Sequence, residues 1–160
     1  MNSSLSAVLS NAEGLKIKNL VLQNIKGSKT FGKFFEDNNY CIIIFQNGIV
    51  CDPCLEFVGT YWSGNSYNFP NGLSNQLIII GDKNDRSTFV YLKKNRLENS
   101  YFIDINRQIR KDLSLNNLPT NFIFLIDNKQ RVIYAEYFTS ETKDKFDKFI
   151  RKAIRLVENE

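Results

Sequence analysis

Three unbroken apolar runs divide a chain of otherwise mixed polarity: residues 41–45 (CIIIF), 77–80 (LIII) and 122–126 (FIFLI). Each is too short for a helix and rich in β-branched or aromatic side chains, the pattern of a strand buried on both faces. Gly81-Asp82 closes the second run. Asp127-Asn128-Lys129-Gln130 follows the third as a turn, and a returning strand over 131–138 completes a hairpin. Between the runs the period lengthens. Cys54, Leu55, Val58, Tyr61 and Trp62 share one helical face. Phe89, Val90, Leu92 and Leu97 predict a second helix, and Ile105, Ile109 and Leu113 a third after a short strand over 101–103. The last helix is the clearest: Phe146, Phe149, Ile150, Ala153, Ile154 and Val157 form one stripe, capped by Thr139 or Ser140. Ahead of the first run, a short strand over 20–23, a turn over 26–29 and a second short element over 31–35 predict an opening hairpin.

Buried strands alternating with helices imply βαβ units, hence a mixed sheet in a three-layer α/β/α sandwich, with the final hairpin as an antiparallel edge. The polar opening predicts a flexible segment over 1–18 ahead of one domain over 19–160. At 160 residues and 42% hydrophobic, the chain can bury one sizeable core. The net charge of +4 is mild and its basic residues are spread, which gives no basis for a nucleic-acid partner. Histidine is absent, which excludes Ser-His-Asp and Cys-His catalysis and any His-ligated metal. No run approaches the ~20 apolar residues of a membrane span. The first residues lack the basic and apolar regions of a signal peptide, so they leave either the cytoplasm or a targeting segment beyond these residues.

Chemistry concentrates in residues 49–56, IVCDPCLE, which hold two of the three cysteines. Cys51 follows the most apolar strand and opens the next helix; Pro53 suits a first helical turn, where its missing N–H is not needed. A thiol there faces unpaired N–H groups and the positive end of the helix dipole, and such cysteines ionise at ~3.5–7.5 instead of ~8.5. Cys54 lies one turn further on, within reach of a disulfide with Cys51, so the pair offers an attacking thiolate and a resolving thiol. Asp52 opposes the dipole and makes the Cys51 thiolate less stable, which favours the disulfide and makes the pair a better reductant. Half a zinc site would need further ligands, and only Cys41 remains. A structural disulfide over so short a loop would constrain the unfolded chain little. Cys41, inside a buried strand pattern, reads as a packed and inert thiol.

Three stretches, LQNIKGSKTFGKFF (22–35), CIIIFQNGIVCDPC (41–54) and YFIDINRQIRKDLSLNNLPTNFIFLIDNKQRVI (101–133), together resemble thioredoxin-like thiol–disulfide oxidoreductases, and within them the TlpA/ResA-like branch of bacterial envelope proteins. The resemblance runs from Asn19 to Val157. It implies a thioredoxin-like three-layer α/β/α sandwich with a mixed central sheet and an N-terminal hairpin. It implies that Cys51 and Cys54 are the redox pair and that Pro119 takes the place of a cis-proline facing them. The Leu118 backbone is then free to pair with an extended substrate, beside Asp52 and Pro53. The chain departs from the family at Val50, where a tryptophan is usual, and near the end of the preceding strand, which often holds a buried Asp, Asn or Glu and here reads Ile44-Phe45-Gln46-Asn47, with no carboxylate. Glu56 is then a candidate proton acceptor for Cys54, or else a solvated helix residue. Peroxiredoxins look like P-x-x-x-T-x-x-C, and here Gly48 stands three before Cys51. Residues 63–75, rich in Gly, Asn and Ser, are either an insertion shaping a partner's groove or a surface connection.

The expected activity is therefore thiol–disulfide exchange by Cys51 and Cys54, reducing protein disulfides without a bound cofactor or metal. The expected partners are a disulfide-bearing protein substrate and an upstream redox-protein reductant, with no nucleic acid, and the chain is expected to be a monomer. The alternative is a thioredoxin-fold binding module without redox turnover. The resemblance implies a periplasmic or membrane-anchored location in the cell envelope, against a cytoplasmic one.

Overall fold

A computed structural model describes residues 9–47, 52–64, 67–113, 115, 120–139 and 141–160, without the side chains of Asn47, Asp52, Cys54, Thr120 and Lys143. Among the described residues seven strands form one mixed sheet in the order β2-β1-β5-β4-β3-β6-β7. They are β1 (Val21–Asn24), β2 (Gly27–Thr30), β3 (Tyr40–Asn47), β4 (Ile78–Gly81), β5 (Tyr101–Ile103), β6 (Thr120–Asp127) and β7 (Val132–Phe138). The helices are α1 (Asp52–Gly64), α2 (Arg86–Lys94), α3 (Gln108–Asp112) and α4 (Lys143–Glu158), with a 3₁₀ helix at Phe31–Phe35.

The apolar runs become the central strands. β3 pairs parallel with β4 (Ile43↔Ile78 to Gln46↔Gly81) and antiparallel with β6 (Tyr40↔Asp127 to Asn47↔Thr120). CIIIF is apolar throughout because both faces are covered. Ile42 and Ile44 pack with Leu55, Val58, Leu92, Phe146 and Phe149 on the side of α1, α2 and α4. Cys41, Ile43 and Phe45 pack with Phe31, Phe34, Ile109 and Leu113 on the other. The expected three-layer sandwich is the observed one.

Several local expectations are corrected. The opening hairpin turns at Ile25-Lys26, not over 26–29: Asn24 pairs with Gly27 and Gln23 with Ser28. Gly27, at φ +135°, supplies the backbone conformation that closes so tight a turn. Asn24 Oδ1 also accepts from the Lys26 amide at 3.1 Å. GSKT is therefore strand, and FGKFF is the 3₁₀ helix that sends Phe31, Phe34 and Phe35 into the core.

Residues 9–17, assigned by their polar composition to the flexible segment, dock on the domain. The Gly14 amide donates to Val132 O (2.7 Å), Val132 N to Leu15 O (2.9 Å) and Ile17 N to Gln130 O (2.8 Å), while Ala12 and Ile17 are buried. Two apolar side chains and an open sheet edge suffice to order a stretch whose average composition is polar.

Val90 falls on the solvent side of α2, and Ile105 precedes α3 as an exposed turn residue. The start of α4 also shifts. Thr142 is its N-cap residue, and Thr139 Oγ1 instead accepts from the Glu141 amide (3.2 Å), closing the turn before the helix. Ser140, the other cap candidate, lies outside the described residues.

Candidate functional site

The redox motif and the LPT motif are more than sixty residues apart in the chain, and the strands that adjoin them in sequence, β3 and β6, are paired in the sheet. β3 ends at Asn47, four residues before Cys51, and Asn47 pairs with Thr120, the residue after Pro119. Helix α1 begins at Asp52, so Cys54 lies in its first turn, where main-chain amides have no intrahelical acceptor. Cys51, Leu118 and Pro119 themselves lie outside the described residues, as do the side chains of Asp52 and Cys54. Pro53 is exposed in the first turn, as its lack of an N–H permits. Glu56 is also exposed, sharing the solvent face of α1 with Pro53 and Thr60.

What lies beneath this end of the sheet is polar. Gln46 continues the face of Ile42 and Ile44, yet it is an amide, 3% exposed, and its Oε1 accepts no hydrogen bond. Asn121 sits opposite it in β6 and is also buried. On the β4 side its partner is Gly81, over which the buried Tyr101 ring lies; the Tyr101 hydroxyl donates to Lys83 O (2.9 Å). Burial pushes the Tyr101 phenol well above its ordinary value.

On the opposite face a charged cluster holds α3, the helix that leads toward residues 114–119. Asp104, 2% exposed, accepts from the Gln108 amide through Oδ1 (3.0 Å) and from the Ile109 amide through Oδ2 (2.8 Å). It thus does the work of an N-cap for a helix whose entry residue, Arg107, is left-handed at φ +53°. Burial raises the Asp104 carboxyl above its usual range, partly opposed by these two amides, with Asp112 and Asp82 adding to the rise. Asp82 Oδ2 meets Arg107 Nε (3.3 Å) and Arg110 (3.4 Å), while its buried Oδ1 has no partner.

Cys41 stands at the other end of β3. It is fully buried, its thiol donates to Phe34 O (3.3 Å), and burial pushes its pKa up to about 12, against a lowering by Ser74 and Lys29. That is the packed thiol the strand pattern predicts. The described part of residues 63–75 is tied down: Tyr67 OH donates to Asp147 Oδ1 (2.7 Å), Trp62 Nε1 to Asn75 O (3.1 Å), and Leu73 is buried. Trp62 and Ser63 form one wall of a groove of about 530 Å³ that Leu77, Asn95 and Arg96 close from the other side. Among the described residues no His/Cys/Asp/Glu cluster could hold a metal, and no helix is long and apolar enough to cross a membrane.

Sequence reasoning missed Gln46, Asn121 and the Asp82–Asp104 cluster. The signal for Gln46 was present in the alternation of β3, where position 46 shares the inward face of 42 and 44.

No protein-family model matches the chain, and no curated protein matches it in sequence. Solved structures do. A chain from Chlorobium tepidum described as the thiol:disulfide interchange protein DsbE superposes with a TM-score of 0.60 at 16% identity, covering 89% of this chain and 97% of that one. The mitochondrial 2-Cys peroxiredoxin of Plasmodium falciparum gives 0.60 at 15%, covering 91% and 94%. The thioredoxin domain of a thiol-disulfide oxidoreductase from Bacteroides vulgatus gives 0.57 at 14%, covering 86% and 97%. The fold is thus thioredoxin-like, shared by interchange proteins and peroxiredoxins.

Proposed function

We propose that this chain is a thiol–disulfide oxidoreductase of the TlpA/ResA-like kind, working through Cys51 and Cys54. The observation that supports the reading is that helix α1 begins at Asp52, inside the C-x-x-C sequence, while β3, the strand before that sequence, is paired residue for residue with β6, the strand that follows Pro119 in the chain. In the forward step the Cys51 thiolate attacks a substrate disulfide, forming a mixed disulfide and releasing one substrate thiolate. Cys54 loses its proton and attacks the Cys51 sulfur. The second substrate thiol leaves, and a Cys51–Cys54 disulfide remains; two electrons have passed to the substrate. A dithiol redox protein returns them by the same exchange in reverse. The Leu118 backbone pairs with the extended substrate chain beside Pro119, and Asp52 and Pro53 form the exposed rim. We place the protein in the cell envelope, a location supported by the resemblance of its motifs.

Reduction of insulin disulfides by dithiothreitol-recycled protein tests the reading. Wild type should accelerate the reaction, Cys51→Ser should abolish the acceleration, and Cys54→Ser should accumulate mixed disulfides. Pro119→Ala should slow reduction of protein substrates. Peroxide consumption without insulin reduction would favour the peroxiredoxin side of the fold, and neither activity would leave a binding module.

A further inference from the structure

A lysine ammonium drawn partly out of water is usually held against a carboxylate, because an unpaired charge is costly to desolvate. Lys29 is not held so. It stands in β2 opposite Leu22, a fully buried core residue, so the pleat turns both side chains to one face of the sheet. The residue is half-buried, and its Nζ lies 4.6 Å from the centre of the buried Phe34 ring. Among the described residues neither Lys29 nor Lys26, in the turn of the same hairpin, forms an ion pair. Both line a cavity of about 270 Å³ with Gln76, Asn99 and Phe102, and no carboxylate is among the lining residues. Asn24 fixes its wall: Nδ2 donates to Asn99 O (3.3 Å) and Tyr101 O (2.8 Å), and Oδ1 accepts from the Lys26 amide (3.1 Å). Gln76 stands two residues before β4 and Asn99 two before β5, so the cavity lies where the parallel strands β3, β4 and β5 begin. The C-x-x-C sequence follows the opposite end of β3.

We propose that this cavity binds the phosphate group of a small phosphomonoester, or the same group on a lipid headgroup. Two ammonium groups and no negative one match a dianion better than a monocarboxylate. Bonds from an ammonium to a phosphate oxygen are charge-assisted and belong to the stronger class. The side-chain amides of Gln76 and Asn99 donate to nothing within the described protein and supply neutral donors beside the lysines. Phe34 and Phe102 keep water from the inner side of Lys29, so its charge is less screened than that of a fully solvated lysine. The volume falls just below the ~300–1,000 Å³ of sites that enclose a whole small-molecule ligand, which suits a single group and not a nucleotide. An inward lysine on an edge strand can also keep other strands from pairing there. That role requires neither Lys26 nor two amides around one cavity.

Amide magnetic-resonance spectra of the full chain, titrated with inorganic phosphate at constant ionic strength, test this. Saturable shifts should centre on Gly27, Ser28, Lys29, Gln76 and Asn99, and acetate should produce far weaker ones. Lys26→Gln and Lys29→Gln should each weaken binding by about tenfold or more, as loss of a charge-assisted bond does. Asn99→Asp, a near-isosteric change of an exposed side chain, puts a carboxylate at the cavity and should abolish binding. Lys148→Gln removes the same charge from an exposed site on α4, where Lys148 pairs with Asp144, and should leave the affinity unchanged. No saturable shift, shifts centred elsewhere, equal binding of acetate, or an equal loss in Lys148→Gln overturns the assignment. Where Lys29→Gln fails to fold, Lys26→Gln and Asn99→Asp decide. Sedimentation with phosphatidylcholine vesicles, with and without phosphatidic acid, separates the two sources. Retention that needs phosphatidic acid and is lost in Asn99→Asp assigns the lipid headgroup, and phosphate binding without retention assigns the soluble ester.

Discussion

Gly81→Ala probes the packing beside the candidate site. Gly81 ends β4 between Gln46 of β3 and Ile103 of β5. A methyl group there would stand 2.9 Å from Cε1 and Cζ of Tyr101, and nearer still to the phenol oxygen. Carbon atoms pack at ~3.5–4.0 Å, so the ring must retreat by roughly 0.6–1 Å. It has little room, being 2% exposed, tied through its hydroxyl to Lys83 O and set edge-on against Phe89. Overpacking of this kind costs ~1–3 kcal/mol, and a broken Tyr101–Lys83 bond a further ~0.5–1.5 kcal/mol. We expect a total of about 2–4 kcal/mol, or a fall in Tm of about 4–16 °C at this chain length. Urea unfolding of wild type, Gly81→Ala, Tyr101→Phe and the double variant measures it. The alanine should cost at least ~1 kcal/mol less in the Tyr101→Phe background, since the closest clashing atom is gone. A Gly81→Ala protein within ~0.5 kcal/mol of wild type, or two strictly additive changes, would refute the reasoning.

Other expectations follow from the same structure. Cys41 should resist iodoacetamide in the native protein at pH 8 and react only on unfolding, because burial and the Phe34 carbonyl hold it as a thiol; rapid native labelling would contradict its placement. Asp104, raised by burial, binds its proton more tightly folded than unfolded, so its contribution to stability is lost as pH rises from about 4 through its folded value. Wild type should therefore lose stability relative to Asp104→Asn over that window, and a flat or opposite difference in urea midpoints would count against a buried carboxylate there. Asp52→His should lower the Cys51 pKa and raise the redox potential by tens of millivolts, where ~30 mV corresponds to about 1.4 kcal/mol; an unchanged potential in a glutathione titration would show that Asp52 does not tune the site.

The sheet was legible wherever burial on both faces leaves an unbroken apolar run, as in β3, β4 and β6, and α4 was legible because one wide stripe is enough to define a helix face. Turn positions were less so. The hairpin closes at Ile25-Lys26, although Ile25 has no turn propensity, because the strand register and Gly27 decide the turn. α3 starts late because Asp104, a residue of the preceding strand's end, caps it from four and five positions away. Residues 9–17 are ordered by an edge of β7 that lies over a hundred residues further along. At the site, the C-x-x-C spacing and the helix after it could be read directly. Gln46 could be read only in part: the alternation of β3 puts it on the inward face of positions 42 and 44, but its near-complete burial and its unpaired oxygen come from the structure.

The most direct test of the account is a redox titration of wild type in dithiothreitol or glutathione buffers, with the disulfide located by peptide mass spectrometry. The account predicts one two-electron transition, a Cys51–Cys54 disulfide with Cys41 reduced throughout, and a potential in the reducing half of the range from roughly −270 to −120 mV that dithiol proteins span. A potential near the oxidising end would overturn the reductant assignment, and a chain that forms no Cys51–Cys54 bond under any poise would contradict the central claim itself.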